Sequence, residues 1–168
     1  MIAQIFTKND VKILDKQTVY QGYFRIEKYQ ICHRLFAGGW SEPVTREVFE
    51  RGHAAAALLY DPVLNKIVLI EQFRIGILGT NTTPWLLELV AGIIDANENP
   101  TQVAIRETQE EAGLTTQALL SICEYWASPG ACTETIALFC ARVDASCAGG
   151  IHGLTTEHED IRVHVVDT

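Results

Sequence analysis

Three glutamates that could bind a metal ion stand close together, at Glu107, Glu110 and Glu111. On a helix that turns by about 100° per residue, Glu107 and Glu111 lie one turn apart on the same face, where two like charges repel. A divalent cation reverses this balance, because Mg²⁺ takes hard oxygen ligands and commonly binds one or two carboxylates together with phosphate groups. The alternative is a solvated acidic face on which Arg106 and Glu110 form an i,i+4 ion pair that contributes only about 0.3 kcal/mol. The helix alone leaves both interpretations open.

The segment that carries these glutamates has well-marked helix boundaries. Asn99 is a suitable N-cap, Pro100 takes the first helical position, Gln102 stands where a capping box requires it, and Gly113 follows the last turn. The sequence therefore predicts a helix over residues 100–112. The predicted packing arc of this helix consists of Thr101, Ala104, Ile105, Thr108 and Ala112.

The rest of the chain has mainly the pattern of β-strands. Residues 11–36 predict two or three antiparallel strands, residues 44–51 a further extended segment, and residues 53–60 with 66–73 a hairpin. Other strands are predicted at residues 86–94, 119–126, 135–143 and 161–166. Several strands and one clear helix without regular alternation indicate an α+β or mixed α/β layer fold. We expect a small N-terminal antiparallel β region at residues 1–50 and one larger domain at residues 51–168.

Composition and charge narrow the classes of function. The chain has 168 residues and a formal net charge of −8, which would repel a nucleic acid backbone, so we expect no nucleic acid partner. Five cysteines without a Cys-x-x-Cys pair suggest free thiols rather than disulfides or a zinc site. The sequence has neither an export signal nor a stretch of membrane-spanning length, and we therefore expect a cytoplasmic protein with no membrane contact.

The glutamates belong to a longer motif of fixed spacing that starts at Gly92. The motif reads Gly-x5-Glu-x7-Arg-Glu-U-x-Glu-Glu-x-Gly-U, where U is a bulky apolar residue. Its seven fixed identities, at about 7% usage each, would coincide by chance with a probability on the order of 10⁻⁸ per start position. Its fixed positions are Gly92, Glu98, Arg106, Glu107, Glu110, Glu111 and Gly113.

This pattern resembles the Nudix box, the signature of the Nudix hydrolase family. Thr108 departs from it at the first U position, but its methyl group can fill the space while its hydroxyl bonds a carbonyl one turn back. The resemblance implies an α/β/α sandwich with a mixed sheet, and hydrolysis of a phosphoanhydride with Mg²⁺, or alternatively Mn²⁺, as cofactor. It also implies that Glu107, Glu111 and the Ala91 carbonyl bind the metal, with Glu110 as a lesser candidate. Arg106 and Glu98 would orient these ligands.

Outside the box, the chain resembles the bacterial branch of the family that hydrolyses ADP-ribose. That branch carries a proline about fifteen residues past the box, and here Pro129 follows Leu114 by 129 − 114 = 15 positions. Residues 49–53, 71–74, 84–88 and 150–153 resemble the same branch. The implied small-molecule substrate is ADP-ribose, which would be split into AMP and ribose 5-phosphate.

The same resemblance implies roles for residues outside the helix. Arg46, Arg51 and Arg74 would hold the phosphates and ribose, because planar guanidinium groups suit anionic oxygens. Tyr23 and Phe24 would lie against the adenine, and the backbone of Ile93 would approach the substrate. The terminal ribose would be lined by Ser128, Gly130 and Glu134. The alternative is that the aromatic residues belong to the core and the arginines form surface salt bridges.

A base that activates water is expected in the polar loop at residues 149–160. Metal binding depresses the basicity of the box glutamates, so the base should lie elsewhere. The resemblance indicates Glu157 as the base and Glu159 as an additional metal ligand. Without it, Glu157 cannot be ranked above Glu159 or Asp160, and a polar loop of this kind is usually just a mobile connection.

The resemblance also implies a homodimer. In the family, N-terminal strands are exchanged between two subunits, and Arg46 would then act across the interface. Relatives continue past the last strand into a C-terminal helix, whereas this sequence stops at Thr168, so either the molecule is a shortened form or that helix is dispensable here. The alternative functions are a pyrophosphatase for another nucleoside diphosphate sugar or dinucleotide, such as GDP-mannose or FAD, and a noncatalytic module that senses ADP-ribose.

Overall fold

A computed structural model describes residues 5–168 of the chain, which divide into two compact units. The first unit comprises residues up to Gly52 together with Trp126–Glu134, and its main feature is a three-stranded antiparallel sheet. The strands of this sheet are β1 (Val11–Gln21), β2 (Arg25–His33) and β3 (Val44–Glu50). The antiparallel strands predicted for residues 11–36 are thus confirmed, and the extended segment predicted at residues 44–51 is the third strand, which ends at Glu50.

The second unit, formed by His53–Tyr125 and Thr135–Thr168, is a mixed sheet with one α-helix. Its elements are β4 (Ala54–Asp61), β5 (Lys66–Phe73), β6 (Trp85–Glu88), β7 (Val90–Ile93), α1 (Pro100–Ala112), β8 (Ala118–Trp126), β9 (Thr135–Arg142), β10 (Ile151–His152) and β11 (Ile161–Asp167). The main path of the sheet runs β10-β11-β5-β4-β9-β8, while β6 pairs with β5 and β7 pairs with β4. Strands β4 and β9 are parallel, and the predicted β4–β5 hairpin is confirmed. The predicted mixed α/β fold is therefore confirmed.

One predicted strand, at residues 86–94, is wrong as a single element. The structure breaks it at Leu89, so that β6 pairs with β5 whereas β7 pairs with β4. The break lets the chain cross from one partner strand to another while keeping its extended pattern. This crossing positions Ala91 and Gly92 on β7, opposite Ala56 and Ala55.

The bounds of α1 agree with the sequence prediction because its caps are local. Asn99 Oδ1 accepts from the Gln102 N–H, and Gln102 Oε1 accepts from the Asn99 N–H, both at 3.0 Å. Gly113 takes the left-handed conformation with φ of 67°, which glycine adopts without strain. The capping box and the helix end are both confirmed.

The predicted packing arc of α1 is partly wrong. Thr101 and Ile105 are exposed, whereas the buried positions are Val103, Ala104, Thr108, Glu111 and Ala112. Compared with the predicted arc, the buried side of the helix includes Glu111. Gln72 and the Ala91 N–H donate to its carboxylate and so permit its burial. Thr101 lies in the first turn of the helix.

Within residues 5–168, no helix has the length and apolar composition needed to cross a membrane.

Candidate active site

The guanidinium of Arg106 holds three of the box carboxylates together. Its Nε and Nη2 donate to the two oxygens of Glu98 at 2.9 and 3.1 Å, and its Nη1 donates to Glu107 and Glu110 at 2.8 Å each. These bonds hold the pKa of Glu98 below its usual value and raise that of Arg106. These bonds agree with the orienting role that the resemblance to the Nudix box implies for Arg106 and Glu98, and that role stays a prediction. The i,i+4 pair of Arg106 and Glu110 is one part of this larger network.

Glu111 is buried, with 2% of its surface exposed, and it is held by groups from two strands. Its Oε2 accepts from the Ala91 N–H at 3.0 Å, and its Oε1 faces Gln72 Nε2 at 3.4 Å. Burial raises the pKa of Glu111 to about 8, and the nearby charges of Glu107 and Glu159 act in the same direction. Burial also raises the pKa of Glu107. Both carboxylates would therefore be stabilised as anions by a neighbouring cation.

Thr108, the residue that departs from the box pattern, packs without an unsatisfied hydroxyl. Its side chain is fully buried, and its Oγ1 donates to the Ala104 carbonyl at 2.6 Å. This is the bond expected from the sequence, and it explains how a polar residue occupies an apolar position.

Gly92 lies directly against the side chain of Glu107. A Cβ atom at position 92 would stand 1.7 Å from Glu107 Oε1 and 2.6 Å from Glu107 Cγ. Both the carboxyl group and the stem of Glu107 would have to move, and its bond to Arg106 would break. The first glycine of the box is therefore needed for clearance of a candidate ligand.

We expect Gly92→Ala to lower kcat/KM by about 10²-fold, because displacing a reacting group by roughly 1 Å has an effect of this size. The thermal midpoint should change little, since a flexible side chain moves and no core residue is lost. Gly79→Ala is the matched control, because its Cβ would meet nothing within 4 Å. Wild-type activity in Gly92→Ala would show that the position of Glu107 is unimportant.

The loop that carries Glu157 and Glu159 is attached to the end of α1. The Gly153 N–H donates to the Glu110 carbonyl at 3.1 Å. His152 packs against the helix end so closely that a Cβ on Gly113 would lie 2.4 Å from its ring. These contacts keep residues 149–160 beside the carboxylate-bearing helix.

Within this loop, the two predicted glutamates differ in environment. Glu159 is partly buried, its Oε2 accepts from the Leu154 N–H at 2.9 Å, and its charge contributes to the raised pKa values of Glu107 and Glu111. Glu157 ends a 3₁₀ turn, Thr155–Glu157, and its side chain is exposed. Glu159 is thus near the box carboxylates, while Glu157 is accessible to water.

Two more predicted substrate residues lie in the second unit. Arg74 follows β5, and its Nε donates to Glu88 Oε2 at 2.8 Å. Its positive charge is close enough to Glu111 to lower the pKa of that carboxyl, against the larger effect of burial. Ile93 ends β7 opposite Ala54. Arg74 therefore directly follows a strand that contacts Glu111, and Ile93 belongs to another such strand.

The remaining predicted substrate residues belong to the first unit. Arg51 Nη1 donates to Glu134 Oε1 at 2.7 Å, and its guanidinium lies 5.8 Å from the ring of Phe24. Tyr23 is 86% exposed and packs edge-on against Phe24. Phe24 therefore lies beside both the exposed ring of Tyr23 and the guanidinium of Arg51, and the substrate-binding roles of these residues stay predictions.

The other members of this set are on the surface of the same unit. Arg46 is exposed on β3 and donates to the Thr45 carbonyl at 2.8 Å. Ser128 begins a turn in which its carbonyl accepts from the N–H groups of Ala131 and Cys132, with exposed Gly130 between them. Their roles in binding substrate stay predictions.

The donor set of the second unit fits a divalent cation. Within residues 5–168, no group of three or more His, Cys, Asp or Glu side chains has the arrangement of a metal site. The fit rests instead on chemistry, because Glu107, Glu111 and Glu159 are hard oxygen donors whose like charges act on one another in a partly buried space. The metal-ligand roles of these residues and of the Ala91 carbonyl remain predictions.

Sequence reasoning missed three residues that hold this site together. Gln72 faces Glu111, Glu88 holds Arg74, and His152 packs on Gly113. All three lie in the segments that resemble the ADP-ribose branch, but nothing in their spacing indicated a partner. Each partner is distant in sequence.

Comparison with known proteins identifies the class of this protein. Residues 50–167 match the NUDIX domain model. The chain is 51% identical to ADP-ribose pyrophosphatase of Escherichia coli strain K12 over 161 residues, covering 96% of this chain and 77% of that protein. It is 46% identical to ADP-ribose pyrophosphatase of Haemophilus influenzae over 166 residues, covering 97% and 76%. The chain therefore belongs to the Nudix family.

More distant relatives agree with this assignment. A GDP-mannose pyrophosphatase of Yersinia pestis is 34% identical over 122 residues, covering 72% of this chain and 61% of that protein. The crystal structure of an ADP compounds hydrolase superposes with a TM-score of 0.62 at 20% identity, covering 79% of this chain and 67% of that one. The structural likeness shows a shared fold.

Proposed function

We propose that this protein hydrolyses ADP-ribose to AMP and ribose 5-phosphate in a reaction that requires Mg²⁺. The observation that carries the proposal is the 51% identity to an ADP-ribose pyrophosphatase over 96% of this chain. The geometry of the Nudix box supports the proposal. Arg106 donates hydrogen bonds to Glu98, Glu107 and Glu110, and the Ala91 N–H donates to Glu111.

Glu107, Glu111, Glu159 and the Ala91 carbonyl would hold the metal ion. Bound there, Mg²⁺ would screen the negative oxygens of the diphosphate and stabilise the leaving phosphate. Arg106 keeps Glu107 in place through a bond of 2.8 Å. This arrangement explains how a chain with a net charge of −8 can bind an anion.

Glu157 would accept the proton of the attacking water. The water oxygen forms a bond to one phosphorus of the diphosphate, and the bond from that phosphorus to the bridging oxygen breaks. The exposed position of Glu157 on a 3₁₀ turn lets its carboxylate reach water, which a buried carboxylate could not do. Arg46, Arg51 and Arg74 would bind the phosphates and ribose.

A substrate panel tests the proposal. Purified protein with Mg²⁺ or Mn²⁺ would be assayed for kcat/KM with ADP-ribose, GDP-mannose and FAD. We expect ADP-ribose to give the highest value. The second candidate is GDP-mannose, because a GDP-mannose pyrophosphatase matches 72% of this chain. A higher kcat/KM for GDP-mannose would replace ADP-ribose as the substrate, and no cleavage of any diphosphate would refute the proposed reaction.

We propose further that residues 1–50 form a dimerisation region and residues 51–168 the hydrolase domain of a homodimer. Every residue of β1 is exposed, including Ile13 and Tyr20 at 62% and 59%, which is typical of a surface that a partner covers. Size-exclusion chromatography with light scattering would measure the mass. A monomer with full activity would contradict an active site that the two subunits share.

The five free cysteines favour a reducing compartment, the cytoplasm.

A further inference from the structure

The ion pair between Arg74 and Glu88 joins a candidate substrate residue to one without an assigned role. Arg74 Nε and Glu88 Oε2 are 2.8 Å apart, and the side chains are 44% and 26% exposed. Pairs this exposed contribute little to folding stability in general. The geometry of the two strands points to a different role for Glu88.

The strand register shows how far the two side chains must reach. In the antiparallel β5–β6 pair, Ile70 lies opposite Glu88 and Gln72 lies opposite Leu86. The Arg74 N–H donates to the Pro84 carbonyl at 2.7 Å, so Arg74 lies at the other end of this pair. Glu88 lies opposite Ile70, which is four residues before Arg74, so Arg74 and Glu88 are about 13 Å apart along the strands. Only two side chains extended toward each other can close that distance.

Both side chains lie on the face of the strands that carries Gln72. Arg74 continues the extended backbone of β5, with φ of −126° and ψ of 109°, and alternate residues of a strand share a face. Residues directly opposite one another also share a face, which places Glu88 beside Ile70 on that side. The guanidinium is therefore drawn back along the strand, over the pair of Gln72 and Leu86.

This direction leads toward the carboxylates of the site. Gln72 Nε2 faces Glu111 Oε1 at 3.4 Å, so the face that carries Gln72 is the one that meets α1. Only Nε of Arg74 is engaged by Glu88, and within residues 5–168 neither Nη atom donates a hydrogen bond. The two Nη groups form the edge of a guanidinium that binds phosphate oxygens in pairs.

We propose that Glu88 is a positioning residue that holds Arg74 against the strand face with its Nη edge ready for a substrate phosphate. The proposal rests on the proposed function, because it assumes a diphosphate substrate. Glu88 itself touches no substrate. Without its carboxylate, the long arginine side chain would be free to rotate into solvent, and ordering it again would weaken substrate binding.

Steady-state kinetics of four variants test this role. Glu88→Ala should raise KM for ADP-ribose about 10-fold while kcat changes less than about 3-fold, because orientation of a binding group is lost. Glu88→Gln, whose amide oxygen can still accept from Nε, should retain most of the affinity. In a background of Arg74→Ala, the double variant should bind no more weakly than Arg74→Ala alone, since both changes remove the same interaction.

Glu71→Ala is the matched control. Glu71 lies on the same strand but bonds His164 on β11 at 2.8 Å, so its loss should leave KM unchanged. An unchanged KM in folded Glu88→Ala, or additive effects of the Arg74 and Glu88 changes, would overturn the proposal. If Glu88→Ala does not fold, Glu88→Asp decides, because its shorter side chain should not reach Arg74 Nε, and an unchanged KM in that variant would also overturn the proposal. Failure of the wild type to cleave ADP-ribose would instead refute the proposed function.

Discussion

Glu111→Gln should lower kcat/KM by roughly 10³-fold, because it removes the charge of a proposed metal ligand from a step that depends on several kcal/mol of charge stabilisation. The same change should stabilise the metal-free protein. Glu111 is buried and its pKa is raised to about 8, so ionising this carboxyl opposes folding. The amide of glutamine keeps an oxygen for the Ala91 N–H and carries no charge. Loss of activity and gain of stability would thus come from one substitution.

The pH dependence of this stabilisation follows from the raised pKa of Glu111. Its ordinary value is 4.5 and its folded value about 8, so the folded state binds more protons between these limits. Stability contributed by the protonated carboxyl is fully present below pH 4.5 and is lost as the pH rises toward 8. The gain from Glu111→Gln should therefore grow across this interval to a few kcal/mol, on the order expected for such a shift. Thermal unfolding in EDTA at several pH values measures it.

Glu124→Gln on the exposed strand β8 is the control for this experiment. It removes one carboxylate of the same type and should change neither kcat/KM nor the pH dependence of the melting temperature. If Glu111→Gln lowered the melting temperature of the metal-free protein at pH 8, burial of an unfavourable charge would be the wrong description of Glu111. Wild-type activity would exclude Glu111 as a ligand.

Glu157→Gln should reduce kcat by roughly 10²–10⁴-fold, the range that general base catalysis contributes. Glutamine has the shape of glutamate but cannot accept the proton of the attacking water. The exposed side chain of Glu157 makes no hydrogen bond in the part of the chain that the structure describes, so folding and metal binding should be nearly unaffected. Single-turnover kinetics and a metal titration measure the two effects separately.

Glu159→Gln tests whether the two loop glutamates, Glu157 and Glu159, have different roles. Its carboxylate bonds the Leu154 N–H and acts on the pKa values of Glu107 and Glu111, so its loss should weaken metal affinity as well as kcat. An unchanged kcat in Glu157→Gln would remove Glu157 as the base. Reduced metal affinity in Glu157→Gln would indicate that the two loop glutamates have exchanged roles.

Helix α1 and its cluster illustrate what could be read from the sequence. The helix was predicted over residues 100–112 with its capping box and terminal glycine, and all three are confirmed. The spacing of the box also identified the Nudix family, to which residues 50–167 belong. The side of the helix that packs was less well predicted, because Ile105 is exposed while Glu111 is buried. Apolar periodicity alone assigns an isoleucine to the interior and a glutamate to the surface.

The amino-acid sequence by itself determined the bounds of α1, the spacing of its carboxylates and the family, because capping bonds and motif spacings connect residues that are near one another in the chain. The tertiary structure decided which of these groups are buried and how they are held. Glu111 meets Gln72 across 39 positions, and the strand at 86–94 breaks at Leu89 because β5 and β4 are its two partners. Such contacts depend on which strands pair, and no local pattern of side chains specifies that.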